Sequence, residues 1–188
     1  MLGGPASGKG TLCSRLIKDG SFVHVSPGDL VRDKQIRNDL SPEYTKLMEK
    51  GKLLPVSFIG ELIMDHIKTN IPCDKTILLD GFPRNKENFD YYIKEMNGFF
   101  DLVKVIVINC SDGLMEKRTL KRQTEQHRKD DEIETFRRRL KYYHEVTEGI
   151  IKLFDEKMVH TFCPDENAPD PYPDIIKIIQ TMRSSSRL

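Results

Sequence analysis

The sequence has few cysteines, no long hydrophobic run and no excess of charge of either sign. Its four cysteines lie far apart, at positions 13, 73, 110 and 163, so it has no CxxC motif for metal binding or redox chemistry. The longest aliphatic run, residues 105–108, is too short to span a bilayer. The count of 30 Lys and Arg against 29 Asp and Glu argues against binding to nucleic acid or membrane through bulk charge.

Two further absences narrow the functional classes. The first residues lack the charged start and apolar stretch of a signal peptide, and scattered cysteines are typical of reduced thiols, so we expect a cytoplasmic protein. The five histidines show no metal-ligand spacing, and we assign them no chemistry.

The pattern along the 188 residues predicts one α/β domain with a small insertion. Short β-branched or aliphatic runs alternate with helical patterns, which is typical of a mostly parallel sheet covered on both faces. The predicted strands are residues 22–25, 76–79, 103–109 and 158–162. Helices are predicted over 9–18, from Pro55 onward, and over about 132–156, the last with Asp131 and Glu134 as a capping box.

A glycine-rich loop, GGPASGKGT at residues 3–11, precedes the first predicted helix. Glycines let backbone N–H groups turn inward around a phosphate, and a helix N-terminus adds partial positive charge. Lys9 can then reach the outer phosphates, and a hydroxyl can bind magnesium. Gly10 stands where the strict motif has Ser or Thr, and Thr11 follows it, so an ordinary glycine-rich turn is the alternative.

This loop and four later motifs resemble the nucleoside monophosphate kinases of the adenylate kinase family. The later motifs, in the family's order, are HVSPGDLVR at 24–32, GKLLPV at 51–56, DGFPR at 80–84, and a segment with RTLKR at 118–122, RKDD at 128–131 and Arg139. The resemblance implies a three-layer P-loop fold with a parallel five-stranded sheet. It also implies a core of residues 1–26, 71–122 and 132–188, a helical insertion at 27–70 that binds the monophosphate, and a short lid at 123–131.

The start of the chain departs from this pattern, because a P-loop follows a strand and only Met1 and Leu2 precede Gly3. We expect further apolar residues upstream in the source polypeptide, with Met1 and Leu2 as the end of the first strand.

Cationic side chains are expected to converge on the phosphates, since ATP and a nucleotide acceptor bring about six or seven negative charges to one site. Guanidinium groups bind phosphate oxygens bidentately. The resemblance implies four sets of residues. The catalytic set is Lys9, Arg84, Arg122, Arg128 and Arg139. The ATP-binding set is Ala6, Ser7, Gly8, Lys9, Gly10, Thr11, Arg118 and Arg122. The acceptor-binding set is Arg32, Lys52, Leu53, Leu54, Gly81, Phe82, Arg84, Asn85, Asn88, Arg128 and Arg139. The Mg²⁺ set is Thr11 and, through water, Asp80.

For single arginines the alternative is a solvated surface cation, and we take it for Arg137 and Arg138, which point away from Arg139 on a helix. For Asp80 the alternative is a structural carboxylate, and for Asn85 it is a helix cap.

The acceptor base is the least determined feature. Asn88 stands where adenylate kinases have Gln, and Pro27 replaces a Thr; the pattern resembles the UMP-CMP kinase branch of the family. A short amide, with one acceptor and two donors, suits uracil and cytosine. We therefore expect a monomeric enzyme that uses Mg²⁺ and ATP to phosphorylate UMP or CMP. A short-lid adenylate kinase acting on AMP and a non-catalytic nucleotide-binding module remain the alternatives.

Overall fold

The computed structural model describes residues 1–126, 132–164 and 170–185. The strands are β1 (Leu2–Gly3), β2 (Phe22–Val25), β3 (Thr76–Leu79), β4 (Val105–Ile108) and β5 (Val159–Phe162). The helices are α1 (Lys9–Leu16), α2 (Pro27–Ile36), α3 (Pro42–Glu49), α4 (Val56–Asn70), α5 (Lys86–Tyr91), α6 (Asp112–Gln126), α7 (Ile133–Tyr142), α8 (Glu148–Ile151) and α9 (Tyr172–Ser185). No helix within these ranges is long and apolar enough to cross a membrane.

The sheet is parallel throughout, as predicted. Strand β4 lies between β1 and β5, and β2 pairs with β3. The two groups meet at the short strand β1, where the Met1 nitrogen donates to the Leu79 carbonyl over 2.8 Å. The Gly81 N–H donates to the Met1 carbonyl over 2.9 Å on the same side. The resulting spatial order, β2-β3-β1-β4-β5, places the glycine-rich loop after the central strand, in agreement with the predicted parallel five-stranded sheet.

Apolar helix faces cover the sheet on both sides. Leu12, Cys13 and Leu16 of α1 pack with Phe22 of β2 and Ile108 of β4. On the other side, Ile63, Met64 and Ile67 of α4 pack against Val25 and Met96. Removing such aliphatic side chains from water stabilises the fold by about 1.5–3 kcal/mol each. Because every strand ends at the same edge, the loops that follow β1, β2, β3 and β4 meet there.

The long predicted helix differs from its prediction in length and regularity. It begins at Ile133 and ends at Ile151, with a π-helical segment, Tyr143–Thr147, between α7 and α8. The N-cap is Glu132, whose side chain makes no capping hydrogen bond, while Asp131 of the expected capping box lies outside the described residues. In the π segment, Thr147 Oγ1 donates to the Arg84 carbonyl over 2.8 Å. This contact ties the helix to the loop after β3, and π segments often occur at functional sites.

Candidate active site

The glycine-rich loop joins β1 to α1 at the carboxyl edge of the sheet. Gly8, the N-cap of α1, has φ 105°, a conformation in which glycine is favoured because it has no Cβ. Ala6 is also left-handed, with φ 57°. The loop therefore curves into the N-terminus of α1, where the helix dipole favours an anion.

Lys9 lies across the inside of this loop. Its Nζ donates to the Gly3 carbonyl over 2.9 Å, to the Gly4 carbonyl over 2.7 Å and to Ser7 Oγ over 3.2 Å. Removal from water lowers the pKa of Lys9 to about 8; nearby Asp80 opposes this, and Arg84 and Arg139 add to it. The ammonium thus lies close to two other cations as well as to the Asp80 carboxylate.

Arginines from three parts of the chain line the same pocket of about 850 Å³. Arg118 of α6 donates through Nη1 to the Ser7 carbonyl over 2.8 Å, so its guanidinium lies against the glycine-rich loop. Arg122, one turn later on α6, and Arg139 of α7 also line the pocket. Arg84 follows β3, and its Nε donates to the Gly81 carbonyl over 2.6 Å. Lys9 and Arg139, 130 residues apart in sequence, thus line one cavity.

Another part of the pocket is built by residues of α2, by residues 52–54 and by the loop after β3. Arg32 of α2 pairs with Asp29 at 2.5 Å and lines the pocket, as do Lys52, Leu53 and Leu54. Asn88 of α5 is buried and lines the pocket with Gly81 and Phe82. Its Oδ1 accepts from the Arg84 N–H over 3.2 Å, which leaves the amide NH₂ to donate to a base.

Asn85, also predicted to bind the acceptor, lies at the start of α5. It is the N-cap of α5, and its Oδ1 accepts from the Asn88 N–H over 2.8 Å. It is not among the residues that line the pocket. Asn85 thus caps the helix, since an Asn directly before a helix satisfies one of its unpaired N–H groups; its binding role stays a prediction.

Comparison with known proteins settles the family. The adenylate kinase family model matches residues 1–159. The chain belongs to the adenylate kinase family. It is 34% identical over 186 residues to the UMP-CMP kinase of Homo sapiens, with 95% of this chain and 94% of that protein covered. It is also 31% identical over 188 residues to the UMP-CMP kinase of Danio rerio (96% and 95% covered). The uridylate kinase of Saccharomyces cerevisiae is 33% identical over 182 residues (93% and 86% covered).

Membership of the adenylate kinase family confirms the predicted class of enzyme, a nucleoside monophosphate kinase. The structure also shows where the remaining predicted residues lie. Ala6, Ser7, Gly8, Gly10 and Thr11 all line the pocket with Lys9. Arg128, together with the rest of 127–131 in the predicted lid, lies outside the described residues.

Sequence reasoning missed one residue in the lining of this pocket, His24. Its Nε2 lies 3.2 Å from Asp80 Oδ2. Burial lowers the pKa of His24, but hydrogen bonds to Asp80 and to Cys13 outweigh it and raise that pKa well above its ordinary value. Burial likewise raises the pKa of Asp80, but His24 and Lys9 outweigh it and keep that pKa below its ordinary value. The Asp80 carboxylate is therefore charged and oriented at neutral pH.

Proposed function

We propose that this adenylate kinase family member transfers the γ-phosphoryl group of ATP to UMP or CMP, with Mg²⁺. The observation that carries the proposal is the single pocket in which Lys9, Arg84, Arg118, Arg122 and Arg139 meet. Its two ends differ. One is formed by the glycine-rich loop at residues 3–11, which we now call the phosphate loop, and the other includes Lys52, Leu53 and Leu54 of the proposed insertion. A site of this kind fits two nucleotides whose phosphates face each other.

Charge neutralisation is the main chemical task of these side chains. In our proposal, the loop N–H groups, Lys9 and Arg118 bind the donor phosphates. Arg32 and Arg84 bind the acceptor phosphate, and Arg122 and Arg139 stabilise the group in transfer, with Arg128 joining them. Preorganised cations that face the developing charge are worth most where water is excluded. No general base is needed, because a phosphate monoester with a second pKa near 6 is already anionic at pH 7.

The residues beside Lys9 fit a magnesium ion. Asp80 and Thr11 both line the pocket and offer a carboxylate and a hydroxyl, the oxygen ligands that Mg²⁺ prefers. Asp80 lies against the first turn of α1, since a Cβ added at Gly10 would be 4.0 Å from Asp80 Oδ2. We propose that Thr11 holds the ion directly and Asp80 through water. Bound Mg²⁺ neutralises charge on the phosphate oxygens.

Base selection is proposed for Asn88, together with the backbone of Lys52, Leu53 and Leu54. The short Asn88 side chain is fixed by the Arg84 backbone N–H, which donates to its Oδ1. Its NH₂ can donate to the ring carbonyl at C2 that uracil and cytosine share.

The cellular setting is also a proposal. All four cysteines, each within the described ranges, are free thiols, which suits the reducing cytoplasm. The near-balance of charge and a pocket built from one chain favour a monomer that binds neither nucleic acid nor membrane.

The decisive experiment is a coupled ADP-release assay with the purified protein, MgATP and CMP, UMP, dCMP or AMP as acceptor. We expect turnover with CMP and UMP to exceed turnover with AMP. A preference for AMP would contradict the proposed acceptor and make the protein an adenylate kinase by activity. No turnover with any acceptor would favour the nucleotide-binding module.

A variant at the base site tests the assignment of the two ends. Asn88→Ala should raise the acceptor KM about tenfold or more and leave the ATP KM nearly unchanged, because a lost hydrogen bond in a buried site costs about 1–3 kcal/mol. Asn85→Ala is the matched control, since Asn85 caps the same helix without lining the pocket. A larger effect on the ATP KM would mean that the two ends are reversed.

A further inference from the structure

The C-terminus of α3, in the insertion, is held by side chains of α7. Thr135 Oγ1 donates to the Glu49 carbonyl over 3.1 Å. Arg138 Nε donates to the Lys50 carbonyl over 3.1 Å. The last carbonyls of a helix have no partner within the helix and carry partial negative charge. Both donors therefore satisfy groups that would otherwise depend on water, across 86 and 88 residues of chain.

The two donors are coupled to each other. Arg138 Nη2 donates to Thr135 Oγ1 over 2.8 Å, while Arg138 Nη1 lies 3.7 Å from Glu134 Oε2, one turn earlier on α7. Thr135 is fully buried. Arg138 is exposed, as the sequence predicted. Its guanidinium nevertheless binds the Lys50 carbonyl at the end of α3. We call Thr135 and Arg138 the α3 clamp.

The chain held in this way leads directly to Lys52, Leu53 and Leu54, which we call the acceptor wall after their proposed role. Gly51 turns it with φ +67°, and a Cβ added there would lie 3.1 Å from both Thr135 Cγ2 and Arg139 Cγ. A residue other than glycine would be strained in this conformation and would also crowd α7. Lys52, Leu53 and Leu54 follow at once and line the pocket.

Arg139 comes next after Arg138 on α7 and lines the same pocket. One stretch of α7 thus carries both Thr135 and Arg138, which contact the end of α3, and Arg139, which in our proposal faces the phosphates. The distance between the acceptor wall and Arg139 depends on how α3 docks on α7.

We propose that Thr135 and Arg138 are positioning residues that dock the insertion on α7 and thereby set the affinity for the acceptor nucleotide. The inference rests on the proposed function for the identity of that ligand. The proposed effect is confined to the acceptor end of the pocket. In the described part of the chain, no hydrogen bond joins the phosphate loop to Thr135 or Arg138.

The kinetic test uses Thr135→Val and Arg138→Gln, with Arg137→Gln as matched control. Arg137 is the adjacent arginine, and it pairs with Glu116 of α6 at 3.2 Å instead of with α3. Each clamp variant should raise the acceptor KM about three- to tenfold, with the ATP KM unchanged within twofold. Thr135→Ser keeps the hydroxyl and should restore the acceptor KM. Equal changes in both KM values, or the same change in Arg137→Gln, would overturn the proposal.

Hydrogen–deuterium exchange separates this inference from the proposed function. In the ligand-free protein, the clamp variants should exchange faster than the wild type over residues 42–52, while α1 exchanges at the same rate. Unchanged exchange over 42–52 in both clamp variants would contradict docking by these residues. This readout applies even if the wild type phosphorylates no monophosphate, which would refute the function and not the clamp. If Thr135→Val does not fold, the exposed Arg138→Gln variant still decides.

Discussion

Replacing Lys9 by Met removes the ammonium at the centre of the phosphate loop while keeping a side chain of similar length. In the structure this ammonium donates to the carbonyls of Gly3 and Gly4 and to Ser7 Oγ. Asp80 favours its charge, and Arg84 and Arg139 oppose it. Lys9→Met therefore removes the proposed interaction with the phosphates and at the same time relieves the repulsion between Lys9 and the two arginines.

The structure gives a magnitude for each effect. The pKa of Lys9 falls from 10.5 to about 8, and at about 1.36 kcal/mol for each tenfold change the buried charge costs about 3 kcal/mol. Three hydrogen bonds, at about 1 kcal/mol each, offset this cost. The free energy of unfolding should therefore change little, so that Tm shifts by less than about 4 °C. By contrast, losing one preorganised charge at the transferring group costs about 10²–10³ in kcat.

The assay compares Lys9→Met with Lys18→Met, a change at an exposed lysine just beyond α1, by thermal unfolding and by initial rates with MgATP. We expect both variants to fold, and Lys9→Met alone to lose turnover. In the wild type, kcat/KM for ATP should fall as pH rises through about 8, because Lys9 of the free enzyme then loses its proton. A folded Lys9→Met variant with less than a tenfold loss of kcat would refute the reasoning.

Two other predictions concern stability. Gly60→Ala should lower the free energy of unfolding in urea by about 1–3 kcal/mol, because the added Cβ would overlap the Tyr91 ring; Gly149→Ala, with nothing within 4 Å, should be neutral or stabilising, and the opposite order would contradict the packing. His144 lies 2.8 and 2.9 Å from carboxylates on two helices. Burial lowers its pKa, but these carboxylates outweigh that and raise it, so its stabilisation is full below about pH 6.5 and is lost as pH rises through the higher folded pKa. His144→Gln should therefore lower Tm more at pH 6 than at pH 9, and an equal loss at both pH values would show that the charge plays no part.

The regular elements were predictable because their sequence signals are local. β-branched and aliphatic runs located β2 and β3 at their observed bounds and β4 and β5 within two residues at each end. The glycine-rich loop could be placed before α1 because the requirement for a left-handed residue at Gly8 is also local. These signals act within a few residues, so the sequence alone contains them.

What could not be predicted depends on contacts between distant parts of the chain. His24 has no motif of its own, and its significance comes from Asp80, 56 residues away. The π segment before α8 contains Thr147, which donates to the Arg84 carbonyl. The spacing of apolar residues along the helix predicts neither the π segment nor this bond. Arg138 follows the helical pattern of a surface cation, and only the fold brings it to the end of α3. The sequence pattern also could not separate Asn85, which caps α5, from Asn88, which lines the pocket, because they lie only three residues apart.

The most direct measurement of the central claim is calorimetric titration with a bisubstrate analogue, adenosine joined through a phosphate chain to uridine. If the cations of one pocket bind the phosphates of two nucleotides, the analogue should bind at a ratio of one to one, compete with both ATP and CMP, and weaken steeply as salt is added. Binding that displaces ATP but leaves CMP binding intact would contradict the account.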